Sequence, residues 1–220
     1  MHTRYFFNKK LEELHLDLIK MGSLVEESIE KTILALKKQD IKLAERIVKN
    51  DDIIDDLEQK IEKKCLIIIA RQQPLAKDLR AIGAALKMIT DMERIADHSA
   101  DIAEITMRMV NEHYIKPLID IPQMAELAKG MVNKSIDAYV KQDIEIAKAV
   151  CDYDDEVDNL FEQIVLELME IMKKEPQTVE QATNLLFIAK YLERMADHAT
   201  NISEWVIFNV TGEHIRCDRG

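Results

Sequence analysis

Over the first part of the chain, apolar residues recur at three- and four-residue steps with polar residues between them. Leu11, Leu14, Leu18, Met21, Val25, Ile29, Ile33 and Leu36 form one such stripe, the mark of a helix that buries a single face. The stripe predicts a first helix over about residues 6–38. Gly22 interrupts it, as a kink or a close helix contact, and Lys37 and Lys38 close it. Asp40 is placed to cap a second helix, which starts near Ile41 and carries Ile47, Ile54, Leu57, Ile61, Cys65 and Ile68 on its buried side. Pro74 ends that helix. A third begins near Asp78, read as its cap, and runs through Ile82, Leu86, Ile89, Met92, Ala96 and Ala103 to about Val110. Pro117 and Pro122 then punctuate the chain.

After them the pattern starts again. Residues 31–40 (KTILALKKQD) align with 134–143 (KSIDAYVKQD), and Asp51 and Asp55 align with Asp154 and Asp158. Met92-Glu93-Arg94-Ile95-Ala96-Asp97-His98 returns as Leu192-Glu193-Arg194-Met195-Ala196-Asp197-His198. Even Glu112-His113 has an echo in Glu213-His214. Duplication along almost the whole length is the economical explanation, and each half reads as three antiparallel helices joined by short loops. The expectation is an all-α protein: six long helices in two tandem, pseudo-symmetric three-helix bundles, over about residues 1–116 and 117–220.

Composition strengthens the class and narrows the function. Only 5 glycines and 4 prolines occur among 220 residues, while 47% are hydrophobic and 32% charged, which fits long helices and no strands. A net charge of −11 argues against a nucleic-acid binder, which needs a basic face, and against an electrostatic membrane anchor. The longest apolar run, residues 65–70, is far too short to span a bilayer. Asn8-Lys9-Lys10 cuts off any apolar signal core at the N-terminus. The expected location is cytoplasmic. Cys65, Cys151 and Cys217, odd in number and far apart, predict neither a disulfide framework nor a zinc site.

The duplicated segment carries the candidate chemistry. Glu93-Asp97-Asp101-Glu104 and Glu193-Asp197-Glu204 form carboxylate ladders on one helix face. Such neighbours repel by roughly 0.2–0.5 kcal/mol per pair on an exposed helix, and no Lys or Arg is read on either stripe to offset this. A second helix in each half carries a matching acidic pair, Asp51/Asp55 and Asp154/Asp158. All these pairs border the apolar stripe, where they can face a neighbouring helix. Acidic pairs four apart also arise by chance among 41 Asp and Glu residues, and duplication copies solvated faces too. If four carboxylates do converge, they need a cation or a proton, and oxygen-only ligands favour Mg²⁺, Mn²⁺, Ca²⁺ or iron. His98 and His198 are read as interhelix hydrogen-bonding residues, and Arg94 and Arg194 as partners of nearby acids. The Glu-x-x-x-Asp-His order lacks the Glu-x-x-His of ferritin-like di-iron helices, which counts against a di-iron oxidase.

The duplicated halves, with an acidic-x-x-x-Asp pair on two helices and an E-R-x-A-D-H segment in each, resemble the PhoU family over essentially the whole chain. The resemblance implies a cytoplasmic accessory protein of the high-affinity phosphate transporter. Such a protein regulates phosphate uptake and the phosphate-starvation response as an adaptor between the phosphate ABC transporter ATPase and a sensor histidine kinase. It also implies metal ligands at Asp51, Asp55, Glu93 and Asp97 and at Asp154, Asp158, Glu193 and Asp197, and it supports a homodimer. The ladders differ at Asp101 and Asn201, so the two sites need not be equal. Two other readings stay open: an accessory regulator of a low-affinity phosphate transporter, and a carboxylate-cluster metalloenzyme. Against the enzyme, the sequence offers no catalytic triad arrangement and no Gly-rich phosphate loop.

Overall fold

A computed structural model describes residues 2–72, 74–110 and 112–217, with side chains from residue 7 onward except Gln72. It contains the six helices: α1 (His2–Lys38), α2 (Ile41–Gln72), α3 (Ala76–Arg108), α4 (Asp120–Lys141), α5 (Ile144–Lys174) and α6 (Val179–Thr211), with one 3₁₀ turn at Pro176–Thr178 before the last. No strand occurs among the described residues.

The same device turns the chain at the same place in each half. Gln39 and Gln142 adopt left-handed backbone, φ 50° and 52°, and the residue after each caps the next helix. Asp40 Oδ1 accepts from Leu43 N at 3.0 Å. Asp143 Oδ1 accepts from Glu145 N at 2.9 Å and Ile146 N at 3.2 Å. Capping therefore falls to Asp40 as its position predicts. Asp78 does not cap α3: Leu75 is the N-cap, without a side-chain hydrogen bond, and Asp78 sits in the first turn, where it complements the helix dipole instead. Pro122 also lies in the first turn of α4, a place where a missing N–H breaks no helical bond.

Within each half all three helices touch one another, and the halves join where α3 packs on α6 and α1 on α4. One continuous apolar core runs through all six, including Met21, Ile61, Met92, Met124, Leu168 and Leu192. The outer helices α2 and α5 bury a single stripe, whereas α3 and α6 serve both their own bundle and the seam between bundles. Gly22 marks a close helix contact. A Cβ there would lie 2.3 Å from Ile136 Cδ1 on α4.

One expectation fails. Cys151 on α5 and Cys217 form a disulfide, with a Cα–Cα distance of 5.7 Å. Linear spacing could not show it, because the pairing depends on the chain reversing after Gly212 (φ 83°). The tail then runs back over α6: His214 stacks on Phe208 at 4.0 Å, and Cys217 N donates to Glu204 at 2.8 Å. Cys65 stays free and buried.

Candidate metal centre

Because α2 and α3 run antiparallel, their bordering carboxylates meet. Asp51, Asp55 and Asp97 each offer an oxygen, and these lie within 4.8 Å of one another; this is the one such acidic group among the described residues. Burial, then the charges of Asp97, Asp55 and Glu93, push the Asp51 carboxyl up to about 7. Burial, then Asp97, raises both Asp55 and Glu93. Asp55 Oδ1 and Glu93 Oε2 are buried without a hydrogen-bond partner. Carboxylates this close stay ionised only against a positive charge, and orphaned carboxylate oxygens are suitable ligands for a hard cation. Glu58, which the sequence reading missed, belongs to the same surface. Burial, then Glu62 and Asp55, raises it. Its signal was the spacing, one turn beyond Asp55 on α2.

The second half repeats this only in part. Asp154 is buried, Asp158 is raised by burial and then by Asp197, and Glu193 Oε2 is buried without a hydrogen-bond partner. Both halves carry a cation beside the ladder although none is read on the stripe itself: Arg94 pairs with nearby acids as expected, and Lys190 is not foreseen. Arg94 Nη1 donates to Asp97 Oδ2 at 2.9 Å, and its Nε lies 3.4 Å from Glu93 Oε2. Lys190 Nζ donates to Glu193 Oε1 at 2.5 Å. Arg94 and Asp97, like Lys190 and Glu193, are three residues apart, neighbours on the helix surface that a strict count of four passes over.

The ladders also divide. Asp101 turns to the seam, where His98 Nδ1 lies 3.5 Å from its Oδ2 and Tyr191 hydrogen-bonds it. Glu104 pairs with Arg108. His98 stacks on Tyr191, ring centroids 5.2 Å apart; burial, then His198, holds its ring down to about 4, so it is neutral. At the equivalent point His198 Nδ1 meets Asp91 Oδ1 at 2.9 Å, which also accepts from Asn201 at 3.2 Å. Both histidines thus serve the contact between halves, as their position off the acidic face predicts.

Comparison with known proteins fits this duplicated architecture. The family described as PhoU domain matches twice, over residues 18–106 and 121–206. The chain is 44% identical over 214 residues to a protein of Clostridium acetobutylicum named phosphate-specific transport system accessory protein PhoU homolog, covering 97% of this chain and 98% of that one. A relative of the same name from Aquifex aeolicus is 42% identical over 94% of each chain. Among solved structures, PhoU from Pseudomonas aeruginosa superposes with a TM-score of 0.91 at 32% identity, over 94% of this chain and 100% of that chain. The phosphate transport system regulatory protein PhoU from Streptococcus pneumoniae gives 0.89 at 28% identity, over 95% and 99%. With both halves matched and the helices superposing almost end to end, the chain belongs to the PhoU family.

Proposed function

We propose that this protein is a cytoplasmic negative regulator of phosphate uptake and of the phosphate-starvation response, an adaptor between a phosphate ABC transporter ATPase and a sensor histidine kinase. The observation that carries the reading is the match of both halves to the PhoU domain. Relatives that cover nearly the whole chain are themselves named accessory proteins of a phosphate-specific transport system. No described helix is long and apolar enough to cross a membrane, so contact with the membrane comes through partners. The function is docking rather than catalysis.

The same reading gives the carboxylates a role. Asp51, Asp55, Glu93 and Asp97 hold a hard metal ion, and Asp154, Asp158, Glu193 and Asp197 form the corresponding second cluster. The donor set, all oxygen, and the buried oxygens of Asp55 and Glu193 that lack a hydrogen-bond partner support this assignment; Glu93 Oε2 already faces the Arg94 guanidinium. A bound cation supplies neutralising charge. The residues themselves do the rest, clipping α2 to α3 and fixing the surface those helices present to a partner. Self-association also belongs to the proposal: Leu66, Ile67, Leu166 and Met169 on the outer helices are exposed.

A deletion strain grown in high phosphate tests the regulatory role. Starvation genes should switch on and phosphate uptake should rise. Silent genes with unchanged uptake would end the assignment, and a change confined to low-affinity uptake would move it to that transporter. Light scattering tests the dimer, which a mass near the 25.4 kDa of one chain excludes.

A further inference from the structure

Cys151 and Cys217 are both partly exposed, whereas Cys65 is fully buried and burial pushes its thiol up to about 12. A thiol buried in that way is inert, while small thiols and disulfides can reach a partly exposed pair. The bond joins α5 to a tail that little else holds. Residues 213–216 are exposed. Beyond the bond, His214 stacks on Phe208 at 4.0 Å and meets Trp205 edge-on at 5.4 Å. Glu213 N donates to Thr211 Oγ1 at 3.0 Å, and Cys217 N donates to Glu204 Oε1. Helix α6 ends before the tail begins, with Gly212 N donating to Phe208 O at 2.8 Å, so the tail can lift without unravelling it. Val48 stands where Cys151 stands, in the register that aligns Asp51 with Asp154, so the first half has no copy of the pair.

We propose that Cys151 and Cys217 form a reversible thiol–disulfide switch, which latches the C-terminal tail onto α5 and α6 when oxidised and releases it when reduced. The inference rests on the cytoplasmic reading given above, because disulfides in a compartment that keeps thiols reduced are usually transient and redox-sensing. The co-reactant is a low-molecular-weight disulfide such as oxidised glutathione. One cysteine thiolate attacks it, forming a mixed disulfide and expelling one small thiolate. The second cysteine thiolate attacks the protein-bound sulfur, closing the Cys151–Cys217 bond and expelling the other. Two protein thiols are oxidised, one small disulfide is reduced to two thiols, and the protons pass to the two leaving thiolates. The docked tail favours closure, since it holds the two Cα atoms 5.7 Å apart, within the span a disulfide needs. By the same coupling the bond keeps His214 over Trp205 and Phe208, and its loss uncovers them.

Trp205 is the single tryptophan of the chain and lies against the tail, so its emission reports docking. The full chain is equilibrated in glutathione buffers from oxidised to reduced, reactive thiols are counted by alkylation and mass, and emission is read in parallel. The count should rise by two on reduction and fall again on reoxidation, as the bond opens and closes. Emission should move to longer wavelength on reduction, with helicity by circular dichroism unchanged. Cys151→Ser and Cys217→Ser should each show the shifted emission in every buffer. His214→Ala, which keeps both cysteines but loosens the tail, should need a several-fold more oxidising buffer for half-formation of the bond. A bond that survives excess reduced glutathione, or none formed in excess oxidised glutathione, overturns the switch and leaves the cytoplasmic reading intact. Emission that ignores the thiol count overturns the latching of the tail. Cell fractionation with rapid alkylation in acid checks the compartment separately: the chain should lie in the cytoplasmic fraction with both thiols free during unstressed growth. Recovery outside the cytoplasm overturns that reading and this inference with it.

Discussion

The two halves share helices, turns and most of a core, yet their acidic clefts are not copies. In the first, Asp51, Asp55 and Asp97 crowd together and Asp51 rises to about 7. In the second, Asp154 is more deeply buried than Asp51, and a lysine reaches Glu193. The seam diverges too: Asp91 faces His198, while its counterpart Tyr191 faces His98. Positions that fill the core tolerate little change, because volume and apolarity must both be kept. Charged border positions carry no such requirement. Duplication therefore preserved the scaffold and left the clefts free to differ.

The strongest test of the shared scaffold removes matched core side chains. Met92 and Leu192 are both fully buried in one continuous core. Met92→Ala and Leu192→Ala should each destabilise by about 2–5 kcal/mol. Because the core is continuous, each variant should still melt in a single transition by calorimetry. Two separated transitions would show that the halves unfold independently.

A smaller effect is expected at the contact between α1 and α4. Gly22→Val drives a branched side chain into Ile136, whose Cδ1 lies 2.3 Å from an ideal Cβ. Overpacking should cost about 1–3 kcal/mol, read as a lower midpoint in urea. An unchanged midpoint would mean that Ile136 swings away freely.

Smaller still is the pH dependence of the first cluster. Asp51 has an ordinary value of 3.8 in the unfolded chain and about 7 in the fold, so between these the native state holds the extra proton. Its contribution in metal-free protein is fully present below pH 3.8 and is lost as pH rises through about 7. Discounted for solvent screening of a half-buried group, the change should be about 1–2 kcal/mol. Asp51→Asn should flatten the profile, and a hard metal ion should restore stability at neutral pH. A metal-free profile that rises from pH 4 to 7 would contradict the assignment.

Much of this was legible in the sequence, because helix periodicity and capping are local. The stripes located α1 to α3, the second turn followed from the repeat of Gln39-Asp40 as Gln142-Asp143, and the acidic pairs on α2 and α3 pointed to a convergence that Asp51, Asp55 and Asp97 achieve. Other features depend on rotation and reversal of the chain. Whether Asp101 faces α2 or the seam is set by how α3 turns against α6, which periodicity does not fix. Arg94 pairs with nearby acids as its neighbourhood predicts, whereas Lys190 was passed over because its partner Glu193 sits three residues on. The Cys151–Cys217 bond needed the tail to double back over Trp205 and Phe208.

That bond changes how the end of the chain bears force. Without it, a pull on the C-terminus would peel the tail from α6 and then fray the last turn, one hydrogen bond at a time. With it, the load passes from Cys217 into Cys151, near the beginning of α5. From there it is spread along the packed length of α5 against α4 and α6, which must slide together rather than unzip. A partner that tugs on the end of this protein therefore pulls on the bundle and not on a loose thread.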